Sequence, residues 1–332
     1  MPYKATSDRA VDVAGVGVNA TDTIIRLPRF PSLDSKVELI SADVKAGGQV
    51  ASAIVACQRW GLTTRYAGKV GDDDAAKFQI QEMKREGVDG HWVEARGCSS
   101  QIAYILVDET SGERTVLWKR DPAISMRADE VQREWISGAH VLLIDGHDTE
   151  AATQAARWAS QEKIPIVGDF DNLYSGIEGL LEYTDYPIMS KDFPERLTGE
   201  KSLLKSLPQI HRDFKCCLIA STIGRFGVLA WDGAKFSLYP GFRINAIDTT
   251  GAGDIFHGAF AYGLVRRWAI DEIFEFSCAA AALNCTAPGA RGGIASIDEI
   301  QNLHRQGQRS ERAYGDDELR EAALAARAHE TQ

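Results

Sequence analysis

The alternation of strand and helix patterns along most of the sequence is the feature that most constrains the fold of this chain. Runs of β-branched and apolar residues are followed by runs in which apolar residues recur at helical spacing, as Val50, Ile54 and Trp60 do. Such alternation is typical of a mostly parallel sheet with helices on both faces. The predicted elements are strands 11–18, 65–70, 140–145, 164–169, 186–189 and 216–221, a strand pair near 227–239, and helices 47–61, 74–86, 149–161, 254–267 and 271–285.

Two pairs of predicted strands do not fit this alternation and indicate a second, smaller sheet. Strands 22–27 and 37–44 flank a turn-rich segment, and strands 101–107 and 114–119 flank the hairpin-like sequence DETSGER. We expect this small sheet to cover one edge of the main domain as a lid. The predicted division is a main α/β domain of residues 11–21, 46–97 and 123–307, a lid of residues 22–45 and 98–122, and a terminal helix or tail of residues 308–332.

The size, charge and cysteine content of the chain limit what it can bind and where it works. Its 332 residues, 44% of them apolar, suffice for one large domain with a small appendage or for two domains. The net charge of −10 argues against nucleic acid or an anionic membrane as a partner. The six cysteines lack disulfide or metal-site spacing, and neither an apolar signal core nor a long apolar run is present. We therefore expect a cytoplasmic protein with small-molecule partners.

The segment DTTGAGD, residues 248–254, directly precedes the apolar helical run IFHGAFAYGLV and is the most informative motif. Small residues at a helix N-terminus leave backbone N–H groups uncovered, so Gly251, Ala252 and Gly253 would form a cradle for an anion. We expect Asp254 to be ionised beside this positive helix end, where it could take a proton from a hydroxyl that attacks a phosphoryl group. The alternative is a tight turn with an N-cap aspartate, which leaves the two threonines of the motif unexplained.

Together with the double glycine that opens the first predicted helix, DTTGAGD resembles the ribokinase/PfkB family of carbohydrate kinases over roughly residues 11 to 300. The resemblance implies a ribokinase-like three-layer α/β/α domain with a small β-sheet lid and an acceptor bound between them. It implies ATP as phosphoryl donor and Mg²⁺ as cofactor, and many members also bind a monovalent cation such as K⁺. Asp254 would be the catalytic base, and Gly251, Ala252 and Gly253 would form the anion hole.

Within the family, several stretches point to different acceptors. GGQVASA, DTTGAGDIFHGAF and CTAPGARGG resemble sulfofructose kinases, whereas Ser190-Lys191-Asp192 resembles ketohexokinases. These similarities favour a ketose or a 6-substituted ketose, and they leave ribokinase and fructokinase types open.

The resemblance also implies residues that hold the acceptor. Asp22 matches the aspartate that binds sugar hydroxyls, with an Asx turn as the alternative. Gly47 and Gly48 match the double glycine whose bare backbone lets the substrate approach closely. Gln49 and Ser52 stand where many members have asparagines.

The predicted lid strands carry further candidates. Tyr104 and Arg120 are expected to contact the acceptor, although solvated charge at a sheet edge also explains the arginine. The hairpin edges bearing Ile24, Ile25 and Leu27 favour pairing with a second copy, which predicts a homodimer through the lid.

On the nucleotide side, Thr222, Gly224 and Gly227 resemble the family's glycine turn beneath the ATP phosphates. Residues Asn284 through Gly293 resemble the loop that closes over adenine, with Asn284 and Gly289 as its predicted nucleotide contacts. Ser190 opens the segment in which the family has Asn-x-x-Glu, and Phe193 occupies the position of the glutamate that organises Mg²⁺ through water. The predicted metal ligands are Asp169, Asp171 and Asp192 for Mg²⁺ through water, and Asp248 and Thr250 for a monovalent cation.

Two other functions match parts of the sequence. Residues 15–20, GVGVNA, satisfy G-x-G-x-x-A and would suggest a dinucleotide-binding oxidoreductase, but that motif must open a helix and a β-branched stretch follows. A sugar-binding regulator without activity is the other alternative, because Ser52 and Phe193 depart from the family pattern. The intact Asp254 with its small neighbours argues against it.

Overall fold

The computed structural model describes residues 10–110 and 114–330 and arranges them as two β-sheets with helices around the larger one. The strands are β1 (Val11–Val16), β2 (Ala20–Leu27), β3 (Ser41–Gly47), β4 (Thr64–Val70), β5 (Asp89–Glu94), β6 (Ile102–Asp108), β7 (Arg114–Lys119), β8 (Ala139–Asp145), β9 (Ile166–Phe170), β10 (Tyr186–Met189), β11 (Ile219–Thr222), β12 (Val228–Trp231) and β13 (Phe236–Tyr239). The helices are α1 (Gln49–Arg59), α2 (Asp74–Arg85), α3 (Thr149–Gln161), α4 (Ile177–Leu181), α5 (Phe193–Thr198), α6 (Leu203–Phe214), α7 (Ala252–Arg266), α8 (Ile270–Asn284), α9 (Ile297–Gln306) and α10 (Asp316–Glu330).

The larger sheet has the strand order β13-β12-β11-β10-β9-β8-β1-β4-β5. Every neighbouring pair from β11 to β5 is parallel, and β12 and β13 add an antiparallel edge. This arrangement confirms the predicted mostly parallel sheet.

Each face of this sheet carries its own apolar core. On β1, Val13 packs in the cluster that contains α1, α7 and α8, whereas Ala14 and Val16 pack in the cluster that contains α3 and α6. Successive side chains of a strand point to opposite faces, so a strand covered on both sides is apolar throughout, as VDVAGV nearly is. The result is the predicted three-layer α/β/α architecture.

The small sheet has the order β3-β2-β6-β7, with β2 and β6 parallel and the other pairs antiparallel. It confirms that the two strand pairs outside the alternation form a separate sheet. The tip of the predicted DETSGER hairpin, residues 111–113, lies outside the described residues, and the exact domain boundaries stay a prediction. We call the small sheet the lid from here on.

The lid presents one face to the main domain. Asp22 lies opposite Ala103, and Ala103 lies opposite Trp118, so these three side chains share a face. The Trp118 ring meets the His147 ring of the main domain edge to face at 6.4 Å. This inner face therefore overlooks the carboxyl ends of the parallel strands.

Some predicted elements differ from the structure. Strand 37–44 begins only at Ser41, where pairing with Arg26 starts, and strand 216–221 begins at Ile219, so Cys216 and Cys217 precede it. The edge strand β5 and the helices α4, α5, α6 and α9 were not predicted. β5 is largely exposed and α6 contains Pro208, so neither shows the ordinary pattern of its class.

The C-terminal segment is a helix rather than a frayed tail. In α10, Leu319 and Ala323 are buried in the core cluster that contains α6. Two such positions four residues apart form a narrow apolar stripe, which was too weak to predict docking.

Three further predictions concern surroundings rather than architecture. All six cysteines are free thiols, as expected. Residues 1–9, on which the prediction about a signal segment depends, lie outside the described residues. Of the helices in the described ranges, none combines the length and apolar character needed to cross a bilayer.

The chain after β1 enters β2 rather than a helix, so the G-x-G-x-x-A match lacks the structure that a dinucleotide fingerprint requires.

Candidate active site

The N-terminus of α7 begins at Gly251, whose φ of +75° favours glycine. A Cβ atom there would lie 2.4 Å from Ala290 O, so a side chain also has no room. First-turn N–H groups of a helix have no intrahelical acceptor; Ala252 N makes only a long hydrogen bond of 3.3 Å to Thr249 O. A Cβ atom at Gly253 would meet no described atom within 4 Å, so this turn opens onto free space.

Two buried side chains hold this turn against the loop between α8 and α9, which contains Gly289 and Ala290. Asp248 accepts hydrogen bonds from Thr250 N and Gly289 N, each at 2.8 Å. Asn284 donates from Nδ2 to Thr250 O at 3.2 Å and to Ala290 O at 3.1 Å. The structure thus brings together four predicted residues, but Asn284 is buried behind the turn and Gly289 faces β2 and β3 of the lid. Asn284 and Gly289 thus frame the turn, and their contact with the nucleotide stays a prediction.

A cavity of about 720 Å³ opens in front of the α7 N-terminus. The predicted nucleotide residues Thr222, Gly224 and Gly227 line it, together with Ala252 and Gly253. Much of its remaining wall is apolar and comes from Phe242, Phe256, Cys278, Ala281 and Ala282.

Ser190 is not among the residues that line this cavity, but it directly follows Met189, whose carbonyl oxygen accepts a hydrogen bond from the lining Thr222 at 3.3 Å. It follows β10, and its Oγ donates to Asp171 O at 3.3 Å. This bond ties Ser190 to the end of β9, and its contact with the nucleotide stays a prediction.

Asp254 lies in the first turn of α7, beside the cavity-lining Gly253, and is partly buried. Burial, and then repulsion from Asp169, raise the pKa of Asp254 to about 8. The charge of Asp22 on the lid raises this pKa further. This raised pKa runs against the expectation that the helix end keeps Asp254 ionised, because burial and the surrounding carboxylates favour the protonated form.

Asp169 and Asp171, two of the predicted metal ligands, lie at the carboxyl end of β9. Burial and then repulsion from Asp171 raise the pKa of Asp169, whose Oδ2 lies 3.3 Å from His257 Nδ1. Two carboxylates that repel each other in this way fit a nearby cation. Asp192, the third predicted ligand, is exposed just before α5. In the described ranges, no three His, Cys, Asp or Glu side chains converge into a ready-made metal site.

Asp22 faces the site from the lid and is 5% exposed. Burial raises the pKa of Asp22 to about 6, against the attraction of the Arg291 guanidinium. Arg291, which was not predicted, donates to Gly47 O at 2.7 Å and to Ser52 Oγ at 3.2 Å. A Cβ atom at Gly47 would lie 1.9 Å from Asp22 Oδ2, so only glycine fits beside this carboxylate. Ser52 is fully buried and bound to Arg291, so its predicted acceptor contact is wrong.

Two polar side chains near Asp22 have unpaired buried atoms. Gly48, with φ +90° and no room for a Cβ atom beside Val18 O, turns the chain into α1. The Gln49 side chain then reaches Asp169, and its Oε1 is buried without a hydrogen-bond partner in the described part of the chain. Asn19, which was not predicted, is buried with neither Oδ1 nor Nδ2 paired in those residues. Buried polar atoms of this kind mark a place for a ligand or water.

The two predicted acceptor contacts on the lid differ in their surroundings. Tyr104 pairs with Leu117 and Thr23, so it lies on the opposite face of the lid from Asp22 and is 47% exposed. Arg120 is drawn into the interior by Asp148, to which it donates at 2.5 Å. The one-residue alternation of β6, which the sequence does not reveal, explains why Tyr104 faces away, whereas the acceptor contact of Arg120 stays a prediction.

A group of aromatic residues on the far side of the cleft was also missed. His147 contacts Trp118, and its Nε2 lies 2.9 Å from the Tyr174 hydroxyl. Burial opposes protonation of His147, but the neighbouring Asp145 carboxylate raises its pKa overall. The DGHD stretch after a predicted strand was a usable signal, since polar residues at the carboxyl end of a parallel strand commonly point into a site.

Comparison with known proteins identifies the architecture. Residues 16–297 match the model of the pfkB family carbohydrate kinases. The chain belongs to this family. It is 24% identical to the ribokinase of Bacillus subtilis over 88% of this chain and 99% of that protein.

Solved structures agree on the fold of this carbohydrate kinase. The ribokinase of Thermotoga maritima superposes with a TM-score of 0.76 at 22% identity, covering 89% of this chain and 100% of that one. The Arabidopsis thaliana ribokinase, solved with ribose and ATP, gives 0.73 at 20% identity over 90% and 99% of the two chains. The family match ends at residue 297, so α10 and the segment before it lie beyond it.

Proposed function

We propose that this pfkB-family kinase transfers the γ-phosphoryl group of ATP to a hydroxyl of a sugar or sugar derivative. The observation that carries the proposal is that one helical turn serves two spaces. Ala252 and Gly253 line a cavity large enough for a nucleotide. The next residue, Asp254, is close enough to the carboxylates of the cleft beneath the lid that they raise its pKa. Donor and acceptor would meet at this turn.

ATP would place its phosphates at the head of α7. The uncovered amides of Gly251, Ala252 and Gly253 and the positive helix end attract phosphoryl oxygens. The glycine turn of Gly224 and Gly227 lets the phosphate chain pass close to the backbone. The apolar part of the cavity suits the nucleobase.

The metal ions would be shared with the substrate. Mg²⁺, when bound, neutralises charge on the phosphate oxygens. Asp169 and Asp171 would hold it through water, since the protein alone offers no closed set of ligands in the described ranges. A monovalent cation fits beside Asp248, because Thr250 Oγ1 and Asn284 Oδ1 are buried oxygens without partners in the described residues.

Asp254 would act as the base. The acceptor oxygen forms a bond to the γ-phosphorus, the bond from that phosphorus to the β–γ bridging oxygen breaks, and the hydroxyl proton moves to the Asp254 carboxylate. ADP and the phosphorylated acceptor leave. A carboxylate whose pKa is raised to about 8 is a stronger base than an ordinary aspartate, provided that it is unprotonated when the acceptor binds.

The acceptor would bind in the cleft between Asp22 and His147. Asp22 accepts hydrogen bonds from hydroxyls, the unpaired atoms of Asn19 and Gln49 supply further partners, and Trp118 offers an apolar surface to a sugar ring. We keep a ketose or a 6-substituted ketose as the preferred class, on the similarity to sulfofructose kinases and ketohexokinases. We also propose a cytoplasmic location, no nucleic-acid or membrane partner, and a homodimer through the lid.

A screen of ADP release with Mg-ATP tests the proposal. Ketoses, aldoses, phosphosugars, sulfosugars and nucleosides are compared, each with and without K⁺. At least one polyol should give acceptor-dependent ADP release. Saturable sugar binding without turnover on any acceptor would instead favour the non-catalytic regulator.

A further inference from the structure

The C-terminal segment from 308 to 311 forms one wall of the cavity in front of α7. Ser310 and Glu311 line this cavity together with Gly253. The segment lies beyond residue 297, where the family match ends, and sequence analysis gave it no role.

A short two-stranded ladder fixes this wall. Arg243 N donates to Gln308 O and Ser310 N donates to Gly241 O, each at 2.8 Å, and Phe242 pairs with Arg309 across the ladder. The ladder places the cavity-lining Gly241, Phe242 and Arg243 beside Ser310 and Glu311.

Arg309 ties the ladder to the body of the protein. Its guanidinium lies 3.7 Å over the Phe242 ring, donates to Pro240 O at 2.9 Å and pairs with Glu275 of α8. Helix α10 follows directly and docks through Leu319. The wall is thus held from both ends.

The one carboxylate of the wall indicates which part of a nucleotide it meets. Glu311 is the one carboxylate among the described residues that line the cavity, and its Oε1 lies 3.9 Å from Nη2 of Arg243, which lines the cavity as Arg225 does. A carboxylate repels phosphates, whereas the uncovered amides at Gly253 attract them, so the two regions suit opposite ends of the same ligand. The uncharged end of ATP carries hydrogen-bond donors in its ribose hydroxyls and its exocyclic amino group, and a carboxylate accepts from both.

We propose that Ser310 and Glu311 bind the nucleoside end of ATP and that Arg309 is the residue that positions them. The inference depends on the proposed function, because it takes the cavity as the ATP site. The C-terminal segment is then part of the nucleotide site rather than an appendage.

Calorimetric titration of the full chain with ATP, 2′-deoxy-ATP, 3′-deoxy-ATP and inosine triphosphate tests the proposal. Glu311→Gln should weaken ATP binding by about three- to tenfold, the usual net value of one ordinary hydrogen bond. It should also reduce the discrimination between ATP and the analogue that lacks the contacted group. A loss of discrimination against a deoxy nucleotide assigns the contact to the ribose, and a loss against inosine triphosphate assigns it to the amino group of the base.

Arg309→Met tests the positioning role. It should raise the KM and the Kd for ATP, while kcat and the KM for the acceptor change less than about twofold. Glu321→Gln, the same chemical change as Glu311→Gln on an exposed position of α10, should leave nucleotide binding unchanged.

The two levels of the proposal fail in different ways. A wild-type chain that binds no nucleotide would remove the kinase proposal itself. If the wild type binds ATP and both Glu311→Gln and Arg309→Met bind every nucleotide as tightly as the wild type does, only the nucleoside wall is overturned, even if Arg309→Met lowers the melting temperature.

Discussion

At the scale of single residues, the chemistry of the site depends on acids held close together. Asp254, Asp169 and Asp22 come from three separate elements, and all have pKa values raised first by burial. Repulsion from Asp169 and Asp22 raises the pKa of Asp254 further. The nearby carboxylates make Asp254 more basic, and they also lower the stability of the folded protein at high pH.

Removing the base is the simplest test at this scale. Asp254→Asn should lower kcat by at least the roughly 10²-fold typical of a lost general base, because the acceptor proton then has no carboxylate to receive it. Calorimetry should show ATP binding retained. Turnover close to that of the wild type would remove Asp254 from its role.

The pH dependence of kcat/KM should follow Asp254. A base works only when unprotonated, so kcat/KM should rise with pH, with an inflection much nearer to 8 than to the 3.8 of an ordinary aspartate. Asp169→Asn, measured at saturating Mg²⁺, should move this inflection to lower pH because it removes a repelling charge. Asp213→Asn, an exposed change on α6, serves as the control. An unmoved inflection in Asp169→Asn would contradict the coupling.

The same shift predicts a stability effect. The pKa of Asp254 is higher in the folded than in the unfolded chain, so ionisation disfavours folding progressively as pH rises from about 4 to about 8. Asp254→Asn should therefore raise the melting temperature of the unliganded protein at pH 8, by about 2 °C or more. This gain in melting temperature should fade towards pH 4. Thermal melts of both proteins at several pH values measure it, and a difference that is constant or reversed across pH would contradict the prediction.

At the scale of elements, the start of α7 depends on one backbone conformation. Gly251→Ala would strain a φ of +75° and push a methyl group against Ala290 O, so we expect a loss of about 1–3 kcal/mol in unfolding free energy and a lower kcat. Gly179→Ala in α4, where a Cβ atom meets no described atom within 4 Å, is the matched control and should be neutral or stabilising. Equal effects of the two substitutions on denaturant unfolding would show that the α7 turn is not special.

The sequence predicted elements well where the signal is local and poorly where it depends on distant partners. The alternation and the DTTGAGD motif predicted the main sheet, the lid and the N-terminus of α7, because each of these features depends on residues that are close together in the sequence. Arg291 was missed because its partners, Gly47 and Ser52, lie more than 200 residues away. Tyr104 was misplaced because only the register of β6 decides which face it occupies.

At the scale of the whole molecule, the outer face of the lid is the surface most in need of a partner. Val44, Tyr104 and Leu117 lie on this face and are each about half exposed. If a second copy covers it, Leu117→Glu should shift the protein towards monomer by placing a charge in an apolar contact. Lys205→Glu, an exposed charge change on α6, should leave the assembly unchanged. Sedimentation velocity at micromolar concentration measures both, and a wild type that sediments only as monomer would exclude the dimer.

The placement of Asp22 on the lid and of Asp254 on the main body has a mechanical consequence. Any tilt of the small sheet against α7 changes the gap between the two carboxylates that would grip a single polyol. Binding of the acceptor and closure of the lid over it would then be one movement. A sugar too short to contact both carboxylates would leave the cleft open to water.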